Sequence, residues 1–202
     1  MEADWEVEIG GGAPVIEALW PGFVDLRSAP ERVGEITEAL VFPALGRFLS
    51  LVNGAASPLW TSKCDVWEPD DEEVASETTS PTGGTDDAKE SSLACYVDLL
   101  PRRGTLFAQW EEAEGFCRAW VERLEEDSLP FSRLDLIVRQ AIAGDIEGFG
   151  ITAYVSVMGQ EFPWHLRLGE LSPQGETEVA LAAALYAVGA AIPARDCPAK
   201  GA

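Results

Sequence analysis

Trp5, Val7 and Ile9 alternate with Glu6 and Glu8 at the start of the chain. A strand turns successive side chains to opposite faces, so this period of two predicts a half-buried strand. Gly10-Gly11-Gly12 breaks it. From residue 14 to 26 the pattern is mixed, and extended pieces on either side of a Pro21-Gly22 turn fit best. Residues 59–67 read as a strand with Trp60, Ser62, Cys64 and Val66 on one face and Lys63 and Asp65 on the other. Trp60 and Trp67 then fall on opposite faces. Residues 93–100 (Leu93, Cys95, Val97 and Leu99 inward), 133–141 (Leu134, Leu136 and Val138 inward) and 149–158 are further strands. Gly159-Gln160 suits a type II′ turn, after which residues 162–168 alternate as a return strand.

Helical spacing appears in three places. Ser28-Ala29-Pro30-Glu31 has the form of a capping box with Pro in the first turn. Val33, Ile36 and Leu40 follow as an apolar stripe, and Pro43 predicts a bend or two short helices ending at Asn53-Gly54. Leu106, Trp110, Ala113, Cys117, Val121 and Leu124 mark a second stripe, opposite Glu111, Glu112, Arg118, Glu122, Arg123 and Glu126. Glu114 and Arg118 are spaced for an i,i+4 ion pair. Residues 177–192 form an Ala-rich helix with almost no polar face, which must be buried or lie in an interface. The expected class is α+β: a mainly antiparallel sheet with helices on one face, its central β-α-β-β-α-β order compatible with an elaborated ferredoxin-like core, followed by a C-terminal strand meander and helix.

The chain has 202 residues, enough for one domain spanning 1–202 with a substantial core. Residues 69–92 are rich in Asp, Glu, Ser, Thr and Gly. They lack the apolar content to offset ordering entropy, so they read as a flexible acidic insert between two strands. From Glu68 to Glu90, nine acids face Lys89 alone, a net −8 that leaves −13 of the total −21 for the rest. Such a field repels nucleic acid and anionic lipid and favours basic proteins or cations. The acidic start has no basic, hydrophobic leader, and the longest uncharged apolar stretch, 179–194, is shorter than a membrane span and contains Pro193. Cytoplasmic localisation is the expectation, with neither nucleic acid nor membrane as partner.

Candidate chemistry centres on aspartates set among apolar neighbours: Asp25, Asp65, Asp98 and Asp135. If their strands share a sheet in matching register, the carboxylates lie on one face. That face is then a salt-bridged surface with Lys63, Arg27, Arg133 and Arg139, a divalent-cation site, or a docking surface. Other chemistry is weak. His165 is the single histidine, with no nucleophile or orienting group identified for it. The four cysteines lack Cys-x-x-Cys spacing, and Cys64, Cys95 and Cys117 sit on apolar faces as reduced core residues. Gly10-Gly11-Gly12 lacks the Lys-Ser/Thr ending of a phosphate loop.

The sequence therefore favours a non-enzymatic, cofactor-free protein that binds another, basic protein, an inhibitor or immunity partner being one version. Asp25, Asp65, Asp98, Asp135 and Trp67 are its candidate binding residues, and a homodimer through the C-terminal helix is a second mode of association. The alternative is a divalent-metal-dependent hydrolase built on the Asp set.

Overall fold

A computed structural model describes residues 1–10, 12–17, 21–69, 92–124, 129, 132–158 and 173–193. Its elements run β1 (Glu2–Glu8), β2 (Val15–Ile16), a 3-10 turn (Pro30–Glu35), α1 (Thr37–Val41), α2 (Pro43–Val52), β3 (Leu59–Trp67), β4 (Ser92–Pro101), α3 (Trp110–Leu124), β5 (Ser132–Ala143), β6 (Ile146–Met158) and α4 (Pro173–Ala190). The fold is α+β. One six-stranded sheet has the order β1-β5-β6-β4-β3, with β2 also paired to β5. The pairs β5-β6, β6-β4 and β4-β3 are antiparallel, while β1 and β2 run parallel to β5.

The strand order departs from a ferredoxin-like core. β1 lies at the edge, and β6, reached from β5 through the Gly144-Asp145 turn, sits between β5 and β4. The proposed Gly159-Gln160 hairpin, its return strand, His165 and most of the acidic insert lie outside the described residues. The strands on either side of the insert, β3 ending at Trp67 and β4 beginning at Ser92, pair with each other.

The helices pack on one face. Alternation brings Leu93, Cys95, Val97 and Leu99 of β4, Leu134, Leu136 and Val138 of β5, and Ile151, Ala153, Val155 and Val157 of β6 to the same side, where they meet Cys117, Trp120 and Leu124 of α3 and Leu181, Leu185 and Val188 of α4. The Trp120 indole N–H donates to the Val188 carbonyl at 2.9 Å, which ties α3 to α4. The predicted Glu114–Arg118 pair is present at 2.7 Å.

Several local expectations are corrected. The Val24-Asp25-Leu26 segment is a turn, and Asp25 lies outside the sheet: its carboxylate accepts from the Arg27 and Ser28 N–H groups at 2.9 and 3.3 Å. Ser28 does not cap a helix. Its hydroxyl donates to the Asp25 carbonyl, and the 3-10 turn starts after Ala29 without a side-chain cap. Leu40 is 65% exposed, because α1 is a single short turn set off by the break at Phe42-Pro43. Leu106 precedes α3, joins a second apolar cluster, and is followed by Phe107, which bridges to Phe149 of β6. On α4, Leu181 and Leu185 are buried as expected, but Val179 and Tyr186 are 43% and 78% exposed.

The largest correction is in β3. A bulge between Thr61 and Cys64 inserts one extra residue against β4. A one-residue shift exchanges the faces of everything beyond it. Trp60, opposite Leu100, and Trp67, opposite Ala94, therefore share the face away from the helices, whereas Cys64 and Val66 turn toward the helical core.

At one end the sheet coils until β2 and β3, on opposite flanks, touch, and the Ser62 hydroxyl donates to the Ile16 carbonyl. Inside this curl Val15, Trp60, Leu100 and Ala141 make the second apolar cluster, with Phe23 and Leu106 against it. Gly150 permits the approach: a Cβ there would lie 3.0 Å from Val15 and 3.1 Å from Leu100. β1 and β2 lie along the same flank of β5, since Glu8 pairs with Arg139 and Val15 with Ala141 only two residues later.

Candidate functional site

Cross-strand register places three of the four aspartates on the face opposite the helices. One row across the sheet reads Asp65, Tyr96, Tyr154, Asp135 and Asp4, on β3, β4, β6, β5 and β1 in turn. The adjacent row contains Asp98, Thr152, Ile137 and Glu6. On the other side of the first row lie Trp67, Ala94, Ser156, Arg133 and Glu2. Of the predicted site residues, Asp65, Asp98, Asp135 and Trp67 share a surface and Asp25 stands apart from it.

The same register keeps the carboxylates dispersed. Two strands separate Asp65 from Asp135, roughly 14 Å at the normal strand spacing. Asp98 is diagonal to Asp65 on neighbouring strands. Among the described residues no three His, Cys, Asp or Glu side chains gather in a way that would hold a metal ion.

Each aspartate has a local partner. Asp135 receives two hydrogen bonds from Arg133, at 2.7 and 2.9 Å. Asp65 accepts the N–H of Val66 at 2.8 Å, and Asp4 accepts the N–H of Trp5 at the same distance. These two residues stand at opposite ends of one row, on the two edge strands. A carboxylate folded onto an edge N–H weakens that edge as a template for another strand.

Asp98 is the buried member, 7% exposed, and accepts the Thr152 hydroxyl at 2.7 Å. Burial raises its pKa above the ordinary carboxylate value, against the Thr152 hydrogen bond and the charges of Lys63 and Arg139. Arg139 Nε lies 3.0 Å from Glu8 Oε2 but off the N–H line, so this contact is an ion pair without a hydrogen bond.

Three aromatic rings occupy the middle of the face. Trp67 meets Tyr96 edge-on at 6.0 Å and Tyr154 at 5.5 Å. Burial, then Asp98 and Asp65, raise the Tyr96 pKa. On the core side of β3 the Cys64 thiol is pushed up to about 12 by burial and by Glu38, Asp65 and Asp98. Burial also drives the Cys95 and Cys117 thiols upward, which makes all three poor nucleophiles.

Sequence reasoning missed Tyr96 and Tyr154. The signal was present, because Tyr96 has the parity of Asp98 and Tyr154 that of Thr152. The pairing of β4 with β6, which sets one ring beside the other, is a long-range fact. No protein family, curated protein or solved structure matches this chain.

Proposed function

We propose that this protein is a non-enzymatic binding module that takes a basic protein partner on the sheet face opposite its helices. One observation carries this reading: Asp65, Asp98, Asp135 and Trp67 share that face with Tyr96 and Tyr154, giving an aromatic centre within an acidic field. Trp and Tyr are common anchors of protein interfaces, and carboxylates around them steer a cationic partner and fix its register. The net charge of −21 acts in the same direction. The divalent-metal hydrolase reading draws no support from dispersed carboxylates that already have partners.

The test is capture of partners from native lysate with the intact chain and with Trp67→Ala and Asp135→Asn. A basic protein bound by the intact chain, lost with both variants and weakened by salt, is the expected result. Equal retention by both variants would place binding elsewhere. Leu51, Val179 and Tyr186 stand exposed on α2 and α4, so sedimentation of the same preparations also tests a homodimer through α4.

A further inference from the structure

Beside β3, the open face runs into a cleft of about 390 Å³ between the 22–24 loop, residues 35–38 and the bulged stretch 62–64, with Tyr96 in its lining. The bulge is what brings Ser62 and Lys63 to this wall, since it takes them out of the regular alternation of β3. Phe23, Val24 and Ile36 supply apolar surface, while Glu35, Glu38 and Lys63 supply charge.

These charges do not cancel. Glu35 is engaged by Arg32 through two hydrogen bonds of 2.8 and 2.7 Å. Lys63 acts on the buried Asp98. Glu38 is half-buried, and its carboxylate makes no hydrogen bond or ion pair with a described residue. Asp65 adds a second negative charge nearby. Burial raises the pKa of both Cys64 and Tyr96, and Glu38, Asp65 and Asp98 add to that rise. A half-buried carboxylate that no described residue pairs or hydrogen-bonds favours the arrival of a cation.

We propose that this cleft receives an arginine or lysine side chain of the partner, its alkyl stem against Phe23, Val24 and Ile36 and its cationic head on Glu38. Long basic side chains have this division, an apolar stem with a charged tip. The inference rests on the protein-binding reading above and supplies its anchor. The bulge then has a purpose in recognition: it turns Trp67 and Asp65 to the open face while opening the cleft beside them.

The test is an NMR titration of the full chain with N-acetyl-arginine amide and with N-acetyl-citrulline amide, its neutral near-isostere, at matched ionic strength. Saturable amide shifts confined to residues 22–24, 35–38, 62–64 and Tyr96 are expected with the arginine compound alone. Glu38→Gln should weaken that binding about tenfold, the scale of one hydrogen bond to a charged group. Lys63→Met should tighten it by removing a like charge, and Glu114→Gln, on α3, should leave it unchanged. Equal shifts from the two compounds, no saturable shift, or indifference to both Glu38→Gln and Lys63→Met would overturn the proposal. The two readings fail separately. Capture that depends on Trp67 without arginine binding overturns the cleft alone. Saturable arginine binding with capture indifferent to Trp67→Ala and Asp135→Asn supports the cleft and overturns the face.

Discussion

On β4, Cys95, Val97 and Leu99 face the helices and are completely buried, while Tyr96 and Asp98 between them face away. The two sets are interleaved on one strand, yet their surroundings differ in kind. The helix side is a continuous apolar contact from β4 through β6 and β5 to α3 and α4, stabilised by area removed from water. The open side is held by individual polar and aromatic contacts: Arg133 on Asp135, Thr152 on Asp98, Trp67 on two tyrosines. Most of the first set cannot change without loss of the fold. Much of the second can change with modest cost, which leaves it available for recognition.

Adjacent residues of β4 sharpen this contrast most. Val97→Asp would bury a charge without a partner and should cost about 4 kcal/mol or more. Tyr96→Ser removes one edge-on aromatic contact and should cost about 1 kcal/mol. Urea unfolding of the two variants measures the asymmetry, and similar midpoints would break the comparison. Cys117→Asp tests the partner layer. Cys117 is fully buried on α3, so a loss of about 3 kcal/mol or more is expected. Trp120→Phe keeps most of the volume but leaves the Val188 carbonyl without its donor, and should cost about 1–2 kcal/mol in the same assay.

Asp98 is the aspartate of the open face that shares the burial of the other, and pH separates the two influences. Its folded pKa is raised, chiefly by burial, so the folded state holds a proton more tightly than the unfolded chain. The associated stability is present below the ordinary carboxylate value and is lost as pH rises through the folded pKa. Asp98→Asn should therefore flatten the dependence of stability on pH above about pH 4, with the amide oxygen still able to accept from Thr152. Denaturant titrations of both chains from pH 4 to 7 check this, and an unchanged slope would mean that Asp98 is as well solvated as a surface carboxylate. The smallest effect belongs to the Glu114–Arg118 pair of α3, whose arginine stands in solvent. Glu114→Gln should change stability by no more than about 0.5 kcal/mol, and less in high salt.

The second apolar cluster marks where pattern reading reached its limit. Trp60 is fully buried there, its indole N–H without a hydrogen-bond partner among the described residues, beneath the Arg27 guanidinium 4.2 Å from its ring centre. The alternation in residues 59–67 is regular enough to be read as one unbroken strand. The bulge that moves Trp60 and Trp67 to the same side of the sheet leaves no mark in that alternation, because it is defined by pairing with β4. Asp25 shows the converse case. An Asp between Val24 and Leu26 satisfies the strand pattern, yet its carboxylate accepts the nearby Arg27 and Ser28 N–H groups, and these local contacts make a turn.

Periods of two and 3.6 determined from sequence alone the strands β3 to β6, the helix α3, the inward sets on β4 and β5, and the α+β class, because these depend on how neighbouring residues alternate between water and core. The α4 helix was equally legible as a helix, but which of its sides meets α2, β4 and β6 followed from packing. Strand order, the edge position of β1, the coil that closes on Val15 and the row from Asp65 through Tyr96 and Tyr154 to Asp135 were decided by tertiary structure. They depend on pairings between residues far apart in the chain, and a single extra residue against β4 was enough to reassign the faces on which the candidate site is built.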